Sequence, residues 1–421
     1  DILIALAPHI IWPMRFVLPH HAGLRPMWLL RAGLFLYDHL GGRDRFPDAA
    51  RISLVHDARG EPLKPQFRRA FEYSDCWVDD SRLVVLNAVD AAERGAQILT
   101  RARVTGLSRE DGLWRVRVET DKGEREFVAR AVVNAAGPWV DTVVRSVAGA
   151  RGPSRFSLRL VKGSHIIVDR VFDGDHAYIF QNADGRIIFA IPYEGRFTLI
   201  GTTDEPFDSD PAHVTISQSE IDYLCNAASE YFRDPVRPES IRSSYSGVRP
   251  LHDDAETKSA SAVTRDYVFD IDGTPPILSV YGGKITTYRR LAEHAMEKLS
   301  PLIGQRGGRW TASAPLPGGE IENADFMQFL AALAREYPWA GSAFLSRLAR
   351  AYGARIHVIL DGARRMSDLG EVFGEDLTRR EIEHLKRAEF AQTSEDMLWR
   401  RSKLALHMSE REQARLRAAF G

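Results

Sequence analysis

The sequence predicts a mixed α/β (α+β) chain: an α/β part built on short apolar strands, an antiparallel sheet beside it, and an all-helical C-terminal region. Three observations predict this. The first is ARAVVNAAGPWV, Ala129 to Val140. Ala131, Val132 and Val133 read there as a fully buried strand, and Gly137-Pro138 as the turn that starts a helix. The second is a series of short strand-like runs within residues 155–275: SLRLVKGSHIIVD, AYIFQ, RIIFAIPY, RFTLIGTTD and YVFDID. Runs of this kind suit an antiparallel sheet with one face on a core. The third lies beyond the Gly- and Pro-rich linker RGGRWTASAPLPGGE, Arg306 to Glu320. From there helix signals run to the end, with Thr378–Glu381 and Ser409–Glu412 spaced as capping boxes.

In chain order, residues 1–46 read as helical, with DILIALAPHIIWP as the end of one helix and Pro26 at the start of the next. The segment MWLLRAGLFLYDHL after Pro26 is apolar almost all round. A helix of that kind is either buried or in contact with a membrane interface, and core burial is the first expectation. Between Gln97 and Asn134 the pattern alternates, with turns at Asp111-Gly112 and Lys122-Gly123, which predicts an antiparallel meander. PPILSVYGGK is an apolar strand ending in Gly282-Gly283, with a helix expected from about Thr286.

Composition removes several function classes. A net charge of −1 over 421 residues argues against binding nucleic acid through a global basic field. Cys76 and Cys225 cannot form a disulfide framework, fit a reducing cytoplasm, and have no metal-ligand spacing. His20, His21, His39 and His56 show no such spacing either, so no metal is expected. No run of 18 apolar residues predicts a transmembrane helix.

Small residues at a strand end let a backbone approach a flat ligand, which singles out Ala135, Ala136 and Gly137. Five further motifs accompany them: AFEYSDCWVDDSRLV (Ala70–Val84), LVKGSHIIV (Leu160–Val168), IGTTD (Ile200–Asp204), YSGVRPL (Tyr245–Leu251) and YGGKITTYRRLAEHAMEKL (Tyr281–Leu299). In order and spacing the chain resembles the FAD-dependent glycerol-3-phosphate dehydrogenases, in the flavoprotein class of D-amino-acid oxidase, over nearly its whole length. The resemblance implies a Rossmann-like FAD-binding domain over residues 1–310, whose antiparallel substrate cap spans about 155–275, and a helical domain over 311–421. The G-x-G-x-x-G loop that should hold the pyrophosphate occurs nowhere in the sequence. The expectation is therefore an incomplete FAD domain lacking its first βαβ unit.

The resemblance further implies oxidation of sn-glycerol 3-phosphate to dihydroxyacetone phosphate. Electrons would pass to a membrane quinone, with the enzyme held peripherally on the cytoplasmic face of the inner membrane; a homodimer is compatible with it. Two alternatives stay open: an oxidase using oxygen, and a fragment that does not retain FAD. His165, neutral at working pH, is the expected general base. Arg249, Arg265 and Lys284 are expected near substrate and flavin, with Arg249 and Lys284 catalytic as well as substrate-binding; which of them touches phosphate is open. Thr203 is expected to line the substrate site from the cap. The cofactor set is Ala135, Ala136, Gly137, Pro138, Trp139, Gly282, Gly283, Lys284, Thr286 and Thr287, the last five as a glycine turn at a helix N-terminus facing the flavin. For the membrane, Pro26–Leu40 offers Trp28, Phe35 and Tyr37 with Arg31, flanked by Arg25 and Arg43.

Overall fold

A computed structural model describes residues 1–21, 26–39, 46–148, 156, 158–252, 267–304 and 307–420. Strand β1 (Ile11–Pro19) is followed by β2 (Ala50–Ser53) and β3 (Arg69–Val78). The meander β4 (Arg103–Glu110), β5 (Leu113–Thr120) and β6 (Gly123–Ala129) leads into the short β7 (Val132–Asn134). Then come β8 (Leu158–Asp169), β9 (Ala177–Gln181), β10 (Ile187–Tyr193), β11 (Phe197–Gly201) and β12 (Glu205–Pro206). After the helix Gln218–Tyr231 the chain returns through β13 (Ile241–His252), β14 (Tyr267–Asp272) and β15 (Ile277–Gly282).

The largest sheet runs β12-β8-β11-β10-β9-β1-β3-β2, with β13 on the other edge of β8. All its pairings are antiparallel except β1 with β9. One face packs on the Gln218–Tyr231 helix: Ile166, Val168, Phe180, Ile188 and Ile200 meet Leu224, Ala228 and Tyr231 in one buried cluster. The meander β4-β5-β6 is a separate sheet, as its two turns predict. A third sheet, β14-β15-β7, joins β15 to β7 in parallel register, Ser279 opposite Asn134.

Four sequence expectations are corrected. Residues 1–46 are not all helical: Ile2–Leu6 and Met27–His39 are helices, but Ile11–Pro19 is a strand paired over nine residues with β3. Two prolines and a Phe-Val pair favour extended backbone there, and Phe16 stacks on Tyr73 across the pair. YVFDID joins β15 rather than the antiparallel cap, because a short connection from Asp272 to Ile277 folds it straight back. The strand expected to be fully buried is not: Ala131 and Val132 are half-buried and Val133 is 50% exposed, since among the described residues β7 pairs only with β15 and is an edge strand. The Met27–His39 helix has no buried residue. Met27, Leu30 and Leu34 rest on Leu18, Phe71 and Ile179, while the opposite stripe faces out, Trp28 70% and Phe35 60% exposed.

The C-terminal region is helical, with Phe326–Glu336, Ser342–Tyr352, Arg379–Ala388 and Glu410–Phe420 around a core that includes Leu345, Leu348, Ile356, Leu385 and Leu398. Ser409 and Glu412 make the reciprocal capping box. Thr378 caps Glu381 N–H, but the Glu381 carboxylate accepts instead from Arg347 and Tyr352.

A buried ion pair ties the two parts of the chain. Arg82, on the helix Asp80–Glu93, donates through Nη1 and Nη2 to the two Glu389 carboxylate oxygens at 2.5 and 2.8 Å. Both side chains are almost fully enclosed. Burial alone would raise the Glu389 pKa, but the Arg82 charge overrides it and holds the carboxyl down to about 2. Removing one partner leaves an uncompensated buried charge. Glu389→Gln is therefore expected to cost about 3–5 kcal/mol in urea unfolding, and Arg82→Met combined with Glu389→Leu to recover most of it.

Candidate active site

Strand β8 presents alternate side chains to opposite faces. Lys162, Ser164, Ile166 and Val168 point to the Gln218–Tyr231 helix, where Glu220 is buried at its first turn. The Glu220 carboxylate collects Lys162 Nζ at 2.8 Å, the Ser164 and Thr203 hydroxyls, both at 2.7 Å, and the Ser217 N–H at 2.8 Å. Burial opposes its ionisation, yet the Lys162 ammonium and these donors keep the carboxyl ionised, its pKa held down to about 2. Thr203 Oγ1 also accepts the Ser164 N–H, and Ser164 Oγ reaches Ser246 Oγ on β13 at 2.8 Å. One carboxylate thus fixes β8, the Thr202–Asp204 turn and, through Ser164, β13.

The other face carries the candidate chemistry. In the β8–β13 register His165 lies opposite Tyr245, Gly163 opposite Gly247 and Val161 opposite Arg249. The His165 ring stacks on Tyr245, centroids 4.8 Å apart and planes 11° from parallel. On its other side it covers Gly201 of β11, where a Cβ would meet the ring at 2.1 Å. Arg249 crosses the bare floor at Gly163, where a Cβ would meet its Nη2 at 2.9 Å. That nitrogen donates to Asp204 Oδ1 at 3.1 Å and to Thr203 O at 3.2 Å. Burial, helped by the Arg249 charge, lowers the His165 pKa to about 4. His165 Nδ1 is buried with no partner among the described residues. The ring is therefore neutral at working pH and able to accept a proton.

The two glycine turns sit together. Ala135–Trp139 follows β7 and Gly282–Lys284 follows β15, so both leave the carboxyl ends of adjacent parallel strands. Ligands of open α/β sheets bind outside those ends. Asn134 braces the first turn, its Nδ2 donating to Val140 O and to Ser279 Oγ on β15. Gly137, Gly282 and Gly283 hold φ of 55°, 77° and 99°, which favour a residue without Cβ. A Cβ at Gly137 would meet open space, so that turn presents bare backbone. β13 packs against β15 and against the Gly137–Trp139 turn, which brings the strand that carries Arg249 next to the turns. This donor set fits a flat cofactor held by backbone groups.

Of the residues expected at the site, the fold puts His165 and Arg249 on one face of the sheet and sets the two turns side by side. Lys284 is exposed, its carbonyl accepting the Thr287 N–H and hydroxyl, and Thr286 is exposed as well. Thr203 is a correction: its hydroxyl is fully buried on Glu220, facing away from the open side of the strand. Arg265 lies outside the described residues. Sequence reasoning passed over Tyr245, Asn134 and Glu220. Tyr245 was legible from Arg249, because residues two and four apart on a strand share a face. Glu220 ends the Ser217–Glu220 capping box, which the structure forms in full.

Residues 1–289 match the FAD dependent oxidoreductase family, and residues 309–420 match the C-terminal domain of alpha-glycerophosphate oxidase. The chain is 51% identical to D-erythritol 1-phosphate dehydrogenase of Brucella abortus, over 98% of this chain and 83% of that protein. It is 48% identical to glycerol-3-phosphate dehydrogenase of Pseudomonas aeruginosa, over 99% and 81%. The fold is similar to that of glycerol-3-phosphate dehydrogenase from Bacillus halodurans complexed with FAD, with a TM-score of 0.77 at 24% identity, covering 99% of this chain and 82% of that one. The chain belongs to the FAD dependent oxidoreductase family, within the group that holds the glycerol-3-phosphate and D-erythritol 1-phosphate dehydrogenases.

Proposed function

We propose that the chain oxidises the secondary hydroxyl of a polyol phosphate, sn-glycerol 3-phosphate in the first place, to the ketone, dihydroxyacetone phosphate. The observation that carries this is the neutral His165 ring on β8 and the Arg249 guanidinium on β13, on one face of the sheet with the bare backbone of Gly163 under the guanidinium, while β13 packs against β15 and the Gly137–Trp139 turn. When bound, FAD would supply the two-electron acceptor for the carbon-bound hydrogen, and the Ala135–Trp139 and Gly282–Thr287 backbones would hold it. His165 takes the hydroxyl proton. Arg249 and Lys284 balance the phosphate charge, and Asp204 orients the Arg249 fork. A second reading, a four-carbon substrate such as D-erythritol 1-phosphate, is favoured by the 51%-identical relative. Comparing kcat/KM for the two phosphates separates them.

Electrons then pass to a membrane quinone, and the Met27–His39 helix is the docking element. Among the described residues no helix is long and apolar enough to cross a membrane. The outward stripe of that helix instead sets Trp28, Phe35 and Leu36 beside Arg31, a combination that suits insertion at the headgroup level on the cytoplasmic face. Oxygen as acceptor is the competing reading, and an assay offering quinone or oxygen decides it.

His165→Ala should lower turnover by about 10²–10⁴-fold with FAD retained. Because the folded pKa is depressed, the base form persists as pH falls. After correction for the phosphate's ionisation near pH 6, kcat/KM should hold to about pH 4 and drop below it. An acid limb near 6.5 that His165→Gln removes would contradict this. Arg249→Ala should cost about 1.5–3 kcal/mol in kcat/KM, since it also leaves Asp204 facing a dianion; adding Asp204→Asn should restore part. Glycerol, which lacks the phosphate, should be nearly indifferent. Sedimentation with anionic vesicles should fall when Trp28 and Phe35 are both replaced by Ser. Replacing Arg31 by Gln should weaken it by a further 1 kcal/mol or about that at low salt, the attraction of one basic side chain to an anionic surface. A wild-type protein left in the supernatant at low salt would remove the docking role.

A further inference from the structure

Away from the candidate active site, the segment leading into β1 meets the helical C-terminal region around a cavity of about 370 Å³. Its walls are mostly apolar: Ile4, Pro8, Ile11 and Pro13 on one side, Phe326 and Met327 on the other. Arg350 lies in this wall, from the last turn of the Ser342–Tyr352 helix. Its guanidinium is clamped between aromatic rings, 3.6 Å from the Phe326 centroid and 4.1 Å from that of Trp12. Nη1 makes only long contacts, 3.4 Å each, to Pro8 O and His9 O. Among the described residues no carboxylate pairs with Arg350, and its Nε and Nη2 donate to nothing. Other enclosed arginines of this chain, Arg82 and Arg347, each hold a carboxylate in both arms. Burial accordingly pulls the Arg350 pKa down to about 10, with no anion to oppose it.

We propose that this cavity is a binding site for a small organic monocarboxylate with an apolar or aromatic body, whose carboxylate takes the free edge of Arg350. A planar fork fixed by two rings is suited to bidentate capture of a carboxylate. The apolar walls suit the body of the ligand rather than a bare inorganic ion. Asp325 decides between a monoanion and a dianion. It lines the same cavity, and its carboxylate caps the Gln328 N–H at 3.0 Å, so it stays in place and repels a second negative charge. Asn323, also in the wall, adds a neutral amide. The site bridges the β1 segment and the C-terminal helices, so an occupant would strengthen the seam between them.

Benzoate is the probe, titrated calorimetrically into the wild-type chain, with benzamide as the uncharged isostere and inorganic phosphate as the dianion. Benzoate should bind at least about tenfold tighter than either, the worth of one charge-assisted contact. Arg350→Gln should abolish that preference, and Arg350→Lys, which keeps the charge without the fork, should lose most of it. Asp325→Asn should tighten benzoate by about threefold by removing the repulsion. This variant keeps Arg350 and gives the answer even where Arg350→Gln fails to fold. Equal binding of benzoate and benzamide, tighter binding of phosphate, no benzoate binding at millimolar concentration, or indifference to Asp325→Asn would each overturn the proposal.

Discussion

Everything at the candidate site depends on the register of β8 against β13. Side chains alternate along a strand, so a slip of one residue would exchange the two faces of β8. Ser164 would then stand where His165 stands, and the ionic network would turn toward the open side. The register is pinned from both faces. Below the sheet the Glu220 carboxylate holds Lys162, Ser164 and Thr203. Above it the imidazole fits between Tyr245 and the bare backbone of Gly201.

The same alternation keeps two opposite electrostatic settings within one residue of each other. Glu220 is shut in with a lysine and further hydrogen-bond donors, and stays ionised. His165 is shut in beside an arginine, with no anion among the described residues near enough to stabilise its protonated form, and stays neutral. Neither setting would survive on the other's face. The polypeptide between them, a single pleat, is the insulation.

Much of this was legible in the sequence, for a physical reason. The runs from Leu158 to Gly201 and the meander from Arg103 to Ala129 carry period-two patterning and glycine turns, which are local signals. So are the capping spacings at Thr378 and Ser409. The errors arose where partners distant in sequence decide the outcome. Ile11–Pro19 becomes a strand because β3, some sixty residues on, pairs with it. Tyr267–Asp272 looks like one more cap strand until its partner β15 is known. The nearly all-apolar Met27–His39 helix could not reveal that Met27, Leu30, Leu34 and Tyr37 would find a surface to cover while Trp28 and Phe35 would not. Thr203 failed for a similar reason: a hydroxyl in a turn reads as available until a buried carboxylate is found beneath it.

The bidentate pair of Arg82 and Glu389 joins positions 307 residues apart in sequence, and this bears on how the molecule comes apart. A helical region that merely leaned on the sheets could melt independently, leaving a partly folded chain in equilibrium with the native one. Here, separating the two exposes an arginine and a glutamate that were enclosed together, with the Lys403–Asp79 pair beside them. Opening the seam is therefore opposed until both parts let go, so the two regions share one cooperative unit. A packing defect among the C-terminal helices, far from any reacting atom, would then lower the population of intact active site and register as lost turnover without altering the chemistry of a single surviving molecule.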